Sequence, residues 1–590
     1  MPRTNLAGGA LGLALGASLM SLACHSSGAL GPHGGDGAGT SGTADASGAG
    51  GGLGGATDAG RDAVPPDAGA DGATATSDPG FVGMRRLTDA EYARTLQDLL
   101  GLGGLDHQIV SSFVVDPDVT GLDDTFDDVT NVAVSARRYA AYFSNAVTYV
   151  QEAFADSTLR ARILTCEPPG PPAPPDDACT AKILRAFGLR AWRRPLTDDE
   201  LADLTSVVDA DLATGDGFPS AMVEGVATML VSDSFLYRQE LDPPAPSAAV
   251  HALTSYEVAA RLSYLLWSTM PDDALFALAA TDDLQKPDVL TAQVTRMLAD
   301  ARSDGFVRNF LGQWLGFRTL DGAPLDRMPQ WIPAVQASMF EEARLFATDF
   351  VQSNRTLGEL LTNDVNFVDP YLASIYGVPS PSQTGTFVRQ TNTTDAREGY
   401  LGLAAWLTLT SDPDASSPMK RGQWIDDQLL CQRVPPPPAV GHPAAPTSAV
   451  GTPRQQYDNT RANMPVCAAC HQLFEPLGLG LENFDQIGRF HTDNGGALGL
   501  VDPNGALPDG TPFQGLLGLA PLLSESPQLS DCAARQLLTY ALGRTLTDAD
   551  ARSVASIEAT WSELGLTMRE LLAALVVDDS FRFRRAEVQP

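Results

Sequence analysis

From Met84 onward, apolar residues recur at helical spacing between short polar breaks. Arg86-Leu87-Thr88-Asp89-Ala90-Glu91-Tyr92 predicts a helix start, with Thr88 as N-cap and Glu91 closing a capping box. Leu96, Leu99 and Leu100 continue that stripe, and a second helix is predicted from Ser135 to about Ala155. Residues 180–240 are helical by pattern, with another capping box at Thr197 and Glu200. Thr254 and Glu257 form a third, ahead of Val258, Leu262, Leu265 and Leu266. Further helices are predicted near 290–300, 304–317, 335–352 and 356–362. The aromatics of this half, Trp267, Phe310, Trp314, Phe340, Phe346 and Phe350, read as core, with one or two available to wall a cofactor. A helix is predicted to end at Cys431, ahead of a stiff Pro435–Pro438 segment. A short hairpin is predicted around Asn504-Gly505.

Two stretches resemble each other at an offset of about 350 residues. Met229–Arg238 matches Leu575–Arg584, and Trp192–Asp198 matches Leu542–Asp548. They read as two copies of one helical hairpin, too few for a solenoid. The fold class expected is mainly α: a multi-helix body with a duplicated hairpin, behind a disordered tether, and, around Cys467-Ala468-Ala469-Cys470-His471 with its C-x-x-C-H pattern of c-type haem attachment, a cytochrome c-like haem segment. The boundaries expected are 1–24 (signal peptide), 25–80 (linker), 81–165 (N-terminal helical domain) and 166–245 (hairpin domain). Then come 246–390 (central helical domain), 391–529 (haem-binding domain) and 530–590 (C-terminal helical domain).

The N-terminus changes the setting. Arg3 precedes an Ala/Gly/Leu run from Leu6 to Ala23, too short for a comfortable membrane span and read as a signal peptide. Leu22-Ala23-Cys24 resembles the end of a bacterial lipobox, with Ser21 where leucine is usual. Cys24 is therefore the expected lipidation site; a simple secretory signal cut nearby is the alternative. Residues 25–80 hold almost no large apolar residue and read as a tether with a reach of roughly 40 Å. The expected location is outside the cytoplasm, in the periplasm or at the outer membrane or cell surface, with membrane contact through the lipid alone.

The net charge is −33 over 590 residues. That argues against nucleic acid and anionic membrane surfaces as partners. It suits a solvated exported chain and could also steer a basic partner. Asp116–Asp128 is an acidic loop whose spacing is no EF-hand pattern, so it reads as solvated rather than calcium-binding.

With Cys24 assigned, six of the seven cysteines remain to be placed. Cys467-Ala468-Ala469-Cys470-His471 is C-x-x-C-H, the attachment signature of a c-type haem. Two thiols one helical turn apart can add across the two vinyl groups of one porphyrin. His471 then stands where the iron needs its proximal imidazole. The competing reading is a disulfide or zinc pair beside an unrelated histidine, but no second C-x-x-C or H-x-H is visible for zinc. Cys166 and Cys179 flank a proline-rich loop and are expected to pair; by elimination, so are Cys431 and Cys532.

At this point the chain resembles the planctomycete-type cytochrome c proteins, which also occur in myxobacteria. The matching stretches are Arg86–Tyr92, Arg193–Thr197 with Phe235–Arg238, and Ser255–Trp267. Further on they are Ser417–Gly422 with Pro435–Pro438, Cys467–Gly488, and Tyr540–Thr547 with Phe581–Arg584. The resemblance implies a cell-envelope protein with one covalent haem c, held by Cys467, Cys470 and His471. It implies no substrate. It also implies a second exported protein of unknown function as a partner, beside an envelope redox partner. Where the family commonly has an arginine after Gly488-Arg489 and an aromatic, this chain has His491.

The sixth iron position decides the chemistry. No methionine lies between His471 and Asp531, where an electron-transfer cytochrome usually supplies one. His491 and Met419 are candidate distal ligands; Met464 is too close to Cys467, and Met568 lies in a helix that buries it. An open or water-bound position is the remaining option. A filled position means single-electron transfer; an open one means oxidase or peroxidase chemistry. Glu475, Glu482 and Asp485 are the nearby carboxylates, with Glu475-Pro476 expected to end the haem-bearing helix. Gly478 and Gly480 are expected to permit close approach over a flat macrocycle. A third reading is a non-enzymatic scaffold or binding protein. No Ser-His-Asp order, P-loop or H-E-x-x-H supports a hydrolase or nucleotide enzyme.

Overall fold

Threonine caps decide where several long helices begin. Thr88 Oγ1 accepts from the Glu91 amide at 3.1 Å, while the Glu91 carboxylate accepts from the Thr88 amide at 2.9 Å. The same reciprocal pair forms at Thr197 with Glu200 and at Thr254 with Glu257. Each box satisfies two otherwise orphaned amides.

The computed structural model describes residues 79–586, except 105–112, 114–120, 123–124, 128, 131, 167–176, 216, 243–249, 323–324, 326–331, 384, 393–396, 434–450 and 464. At 121–122, 177, 460, 463, 465–467, 469 and 470 it describes the backbone alone. The expected signal peptide, the lipidation site Cys24 and nearly all of the expected tether fall outside these residues.

The fold is mainly α. The helices that matter here are α1 (Asp89–Leu100), α2 (Ala136–Ala155), α3 (Asp177–Ala191), α4 (Asp198–Ala213) and α5 (Phe218–Val231). There follow α6 (Ser255–Trp267), α7 (Pro287–Leu298), α8 (Pro333–Gln352), α9 (Ala404–Leu409), α10 (Pro418–Trp424), α11 (Pro453–Asn463) and α12 (Pro465–Leu479). The last are α13 (Gly515–Ser524), α14 (Pro527–Leu542), α15 (Ala551–Leu564) and α16 (Met568–Val577).

Helices α1 to α5 share one core, built on Tyr92, Leu96, Tyr142, Ile183, Val208 and Leu230. A larger core joins α6 to α10 with the C-terminal helices. The aromatics expected to be core are there: Trp267, Phe310, Trp314, Phe340, Phe346 and Phe350 are all buried in it. Met568 is buried there as well.

Among the described residues the strands form only two-stranded ladders. They are β1 (Arg85–Arg86), β2 (Gly121–Leu122), β3 (Phe126–Asp127), β4 (Tyr237–Arg238) and β5 (Val250–Ala252), then β6 (Val365–Val368), β7 (Val388–Thr391), β8 (Asn504–Ala506), β9 (Pro512–Gln514) and β10 (Phe583–Arg585). Strand β4 returns to β1, and β10 returns to β5, so each ladder ties the end of one helical unit to the strand before α1 or α6.

The connections after α3 and α14 use the same local devices. Arg193 and Gly543 both have φ +61°. Arg194 binds Glu200 bidentately at 2.9 and 2.7 Å, and Arg544 binds Asp550 at 2.8 and 2.6 Å. A non-glycine in the left-handed region costs about 1 kcal/mol. At Arg193 this is offset by guanidinium bonds to the carbonyls of Ser234 (2.7 Å), Phe235 (3.1 Å) and Tyr237 (2.7 Å).

The short hairpin expected around Asn504-Gly505 forms: both residues lie in β8, which pairs with β9, and the chain reverses at Leu507–Thr511. The Phe513 ring fills the space over Gly505, so any side chain there would collide with it. Three other local expectations need correction. Near 304–317 the helix carries a π turn at Val307–Leu311, and near 356–362 only Glu359–Thr362 is helical. The segment before Cys431 is α10 extended by a second π turn, Ile425–Leu429, with Cys431 itself at φ +50°.

A buried polar network links α8 to the segment that follows α12. The Tyr376 hydroxyl donates to Glu342, on α8, and accepts from the Ala404 amide at 2.7 Å. Arg397 lies over the rings of both Tyr376 and Phe484 and donates to the carbonyls of Gly402 and Gly488. Burial pushes the Glu342 carboxyl up to about 8. The folded chain thus retains a proton that the unfolded chain, at about 4.3, releases. Stability contributed by this proton is present at low pH and lost as pH rises towards 8. Glu342→Gln should therefore gain on wild type by on the order of 2 kcal/mol between pH 5 and pH 8. Urea titrations at the two pH values check this; parallel pH dependences of variant and wild type would refute it.

Candidate functional site

Helix α12 carries Cys467, Cys470 and His471 at i, i+3 and i+4, which puts all three on one face within one turn. His471 Nδ1 lies 2.5 Å from Oε1 of Glu475, one turn further on. The Phe474 ring sits 5.4 Å from the imidazole, centroid to centroid. Glu475 is fully buried. Its other oxygen, Oε2, is 3.4 Å from Nε of Arg461, on α11. With Glu475 ionised the carboxylate can only accept, which puts the imidazole proton on Nδ1 and leaves Nε2 its lone pair. Burial pushes the Glu475 carboxyl up, opposed by the bond from His471 and by the nearby charges of His471 and Arg461.

The seat of α12 comes from α10. A Cβ on Gly478 would overlap the Pro418 carbonyl, and one on Gly422 would overlap the Phe474 carbonyl. The two backbones therefore touch through reciprocal glycines. Gly480 lies against the Phe513 ring. Gly478 and Gly480 are thus used against protein, which corrects the expectation that they face a macrocycle. Nor does Pro476 end the helix, which runs on to Leu479. Proline removes one hydrogen bond. Tertiary contact with α10 at Gly478, just past the proline, holds the last turn in place.

Arg421, with no exposure, fixes the chain beyond α12. It donates to the carbonyls of Leu481 (3.0 Å), Phe484 (2.9 Å) and Asp485 (2.9 Å). Glu482 is 3.5 Å from the same guanidinium and accepts from the Ser416 hydroxyl at 2.9 Å. Burial pushes the Glu482 carboxyl up, with Arg421 opposing. Glu482 is therefore part of the anchor for this turn. Asp485 accepts from the amides of Ile487 and Arg489.

The other sequence candidates fall as follows. His491 is half-exposed; its Nδ1 is 3.2 Å from the Asp493 carbonyl, and its backbone pairs with Asn483. Met419 is half-buried on α10, and Met464 lies outside the described residues. Cys166 is bonded to Cys179, and Cys431 to Cys532. In the acidic loop Asp127 is held by Arg318 at 2.8 and 2.6 Å. Among the described residues no three His, Cys, Asp or Glu side chains converge as a metal cluster. Among them, too, no helix is long and apolar enough to cross a membrane.

Sequence reasoning missed Glu475 as a partner of His471, and it missed Arg461. The signal was there: a histidine and a glutamate at i and i+4 face each other on any helix. Reading Pro476 as a stop removed the helix on which that spacing counts.

Five family models match the chain in succession. Each is described as a protein of unknown function: DUF1587 over residues 85–155, DUF1595 over 179–240, DUF1592 over 253–378, DUF1588 over 397–494 and DUF1585 over 509–581. The DUF1588 model, which bears the label PSCyt3, spans α10 to His491 and so contains the whole site. No curated protein and no solved structure matches the chain.

Proposed function

Because the chain belongs to the planctomycete-type cytochrome c family, we propose that it is an exported, surface-tethered protein with one covalent haem c and redox activity at that iron. The carrying observation is the His471 imidazole, tied through Nδ1 to Glu475 on the helical face that also bears Cys467 and Cys470. That donor set fits a c-type haem: two thiols for attachment and one imidazole nitrogen left for iron. Leu473, 40% exposed and on the same helix, is a large apolar side chain available to flank a macrocycle. When bound, the haem supplies one-electron chemistry. The protein's part is to hold the iron, orient its ligand and limit the access of water.

The rest of the body is scaffold in this reading. The unit from α3 to β4 and the unit from α14 to β10 are two copies of one hairpin, supported by the shared φ at Arg193 and Gly543 and by the matched Arg–carboxylate pairs. Lipid at Cys24 and residence in the periplasm or at the outer membrane follow from the N-terminal pattern. An envelope electron carrier is the partner in the electron-transfer role, and a second exported protein is the further partner. A second reading, an oxidase or peroxidase with an open sixth position, is favoured by the absence of methionine between His471 and Asp531.

The visible spectrum of the full chain, made with haem-maturation machinery, tests both. A reversible change between oxidised and reduced bands is expected. Rapid CO binding by the reduced protein selects the oxidase or peroxidase reading; failure to bind CO selects electron transfer. A colourless protein from a host proven to mature cytochromes rejects both.

A further inference from the structure

We propose that Glu475 is the positioning residue for the iron ligand, and that its hydrogen bond from His471 Nδ1 makes the imidazole a more basic, electron-rich donor and holds the iron at low potential. This rests on the haem reading above and concerns which oxidation state the site favours. A ligating histidine with a carboxylate behind it gains basicity, where a neutral carbonyl would add little. The partner here is a carboxylate at 2.5 Å, and it has no exposure at all. Buried from water, its charge acts on the imidazole nearly undiluted. An electron-rich proximal ligand stabilises ferric over ferrous iron, so the midpoint potential falls.

The carboxylate is itself restrained. Arg461 Nε stands 3.4 Å from Oε2, and Arg461 also pairs with Asp458 on its own helix. The cation draws part of the Glu475 charge away from the imidazole and so sets how far the potential drops. Glu475 thus has one oxygen for the ligand and one for α11. This makes the potential depend on how α11 packs against α12.

The test is a spectroelectrochemical titration of wild type, Glu475→Gln and Arg461→Ala, each made as the full chain with haem attached. Glu475→Gln should shift the midpoint upwards, because a neutral amide cannot charge the imidazole. Arg461→Ala should shift it downwards, because the carboxylate is no longer shared. The shift in Arg461→Ala should persist at high ionic strength, where a direct effect of a partly exposed cation on the iron would be screened. Unchanged potentials, or an upward shift in Arg461→Ala, overturn the proposal. Should Glu475→Gln fail to take up haem, Arg461→Ala alone decides by the same criteria. A wild-type chain without covalent pigment is a different failure: it removes the haem reading itself. A coloured wild type whose potential ignores both variants sinks only the role of Glu475.

Discussion

Gly478→Ala should destabilise the chain by about 3 kcal/mol or more, and Gly422→Ala by a similar amount. Each new methyl would overlap a backbone carbonyl, of Pro418 in one case and of Phe474 in the other. A flexible side chain could swing aside; these carbonyls belong to helices that pack on each other through this very contact. The only relief is to part α10 from α12. Parting them pulls Arg421 away from the carbonyls of Leu481, Phe484 and Asp485. A buried guanidinium without acceptors adds its own penalty. Gly103→Ala is the control, since its Cβ would meet nothing and the substitution should stay within about 0.5 kcal/mol. Urea denaturation reads all three. Losses below about 1 kcal/mol at 478 and 422 would mean that the helices do not cross at this distance.

Cys467→Ala with Cys470→Ala should abolish covalent pigment altogether. Each thioether depends on one thiol, so either single variant keeps a one-point attachment and only the double variant loses both. The control is Cys166→Ala with Cys179→Ala, which removes the other short-range cysteine pair and should leave the pigment in place. His471→Ala separates attachment from ligation: the pigment stays, but its spectrum loses the signature of an imidazole ligand. Pigment on denaturing gels, measured against protein, checks the set. Equal pigment in the double variant and wild type would place the attachment elsewhere.

Local chemistry was readable from the chain because its partners are three or four residues apart. The boxes at Thr88/Glu91, Thr197/Glu200 and Thr254/Glu257 form as expected, and Ser135 caps α2. The core role of Trp267, Phe310 and Trp314 was readable from helical spacing. What escaped depends on residues brought together from afar. No local rule pairs Gly478 with Pro418 or wedges Phe513 between Gly480 and Gly505. Proline propensity at Pro476 lost to the contact with α10.

The site divides the same way. Its thiols and imidazole were readable as a pentapeptide, because the C-x-x-C-H signature is a fixed short spacing. Its support was not. Arg461 reaches Glu475 from a separate helix, and Arg421 reaches the chain beyond α12 from α10.

The most direct measurement is the mass of the intact, denatured full chain from a cytochrome-maturing host, with its visible spectrum taken after acid–acetone extraction. The account predicts a mass raised by one haem and a pigment that stays with the protein. Apoprotein mass with the colour gone into the solvent, or no colour from the start, would contradict it.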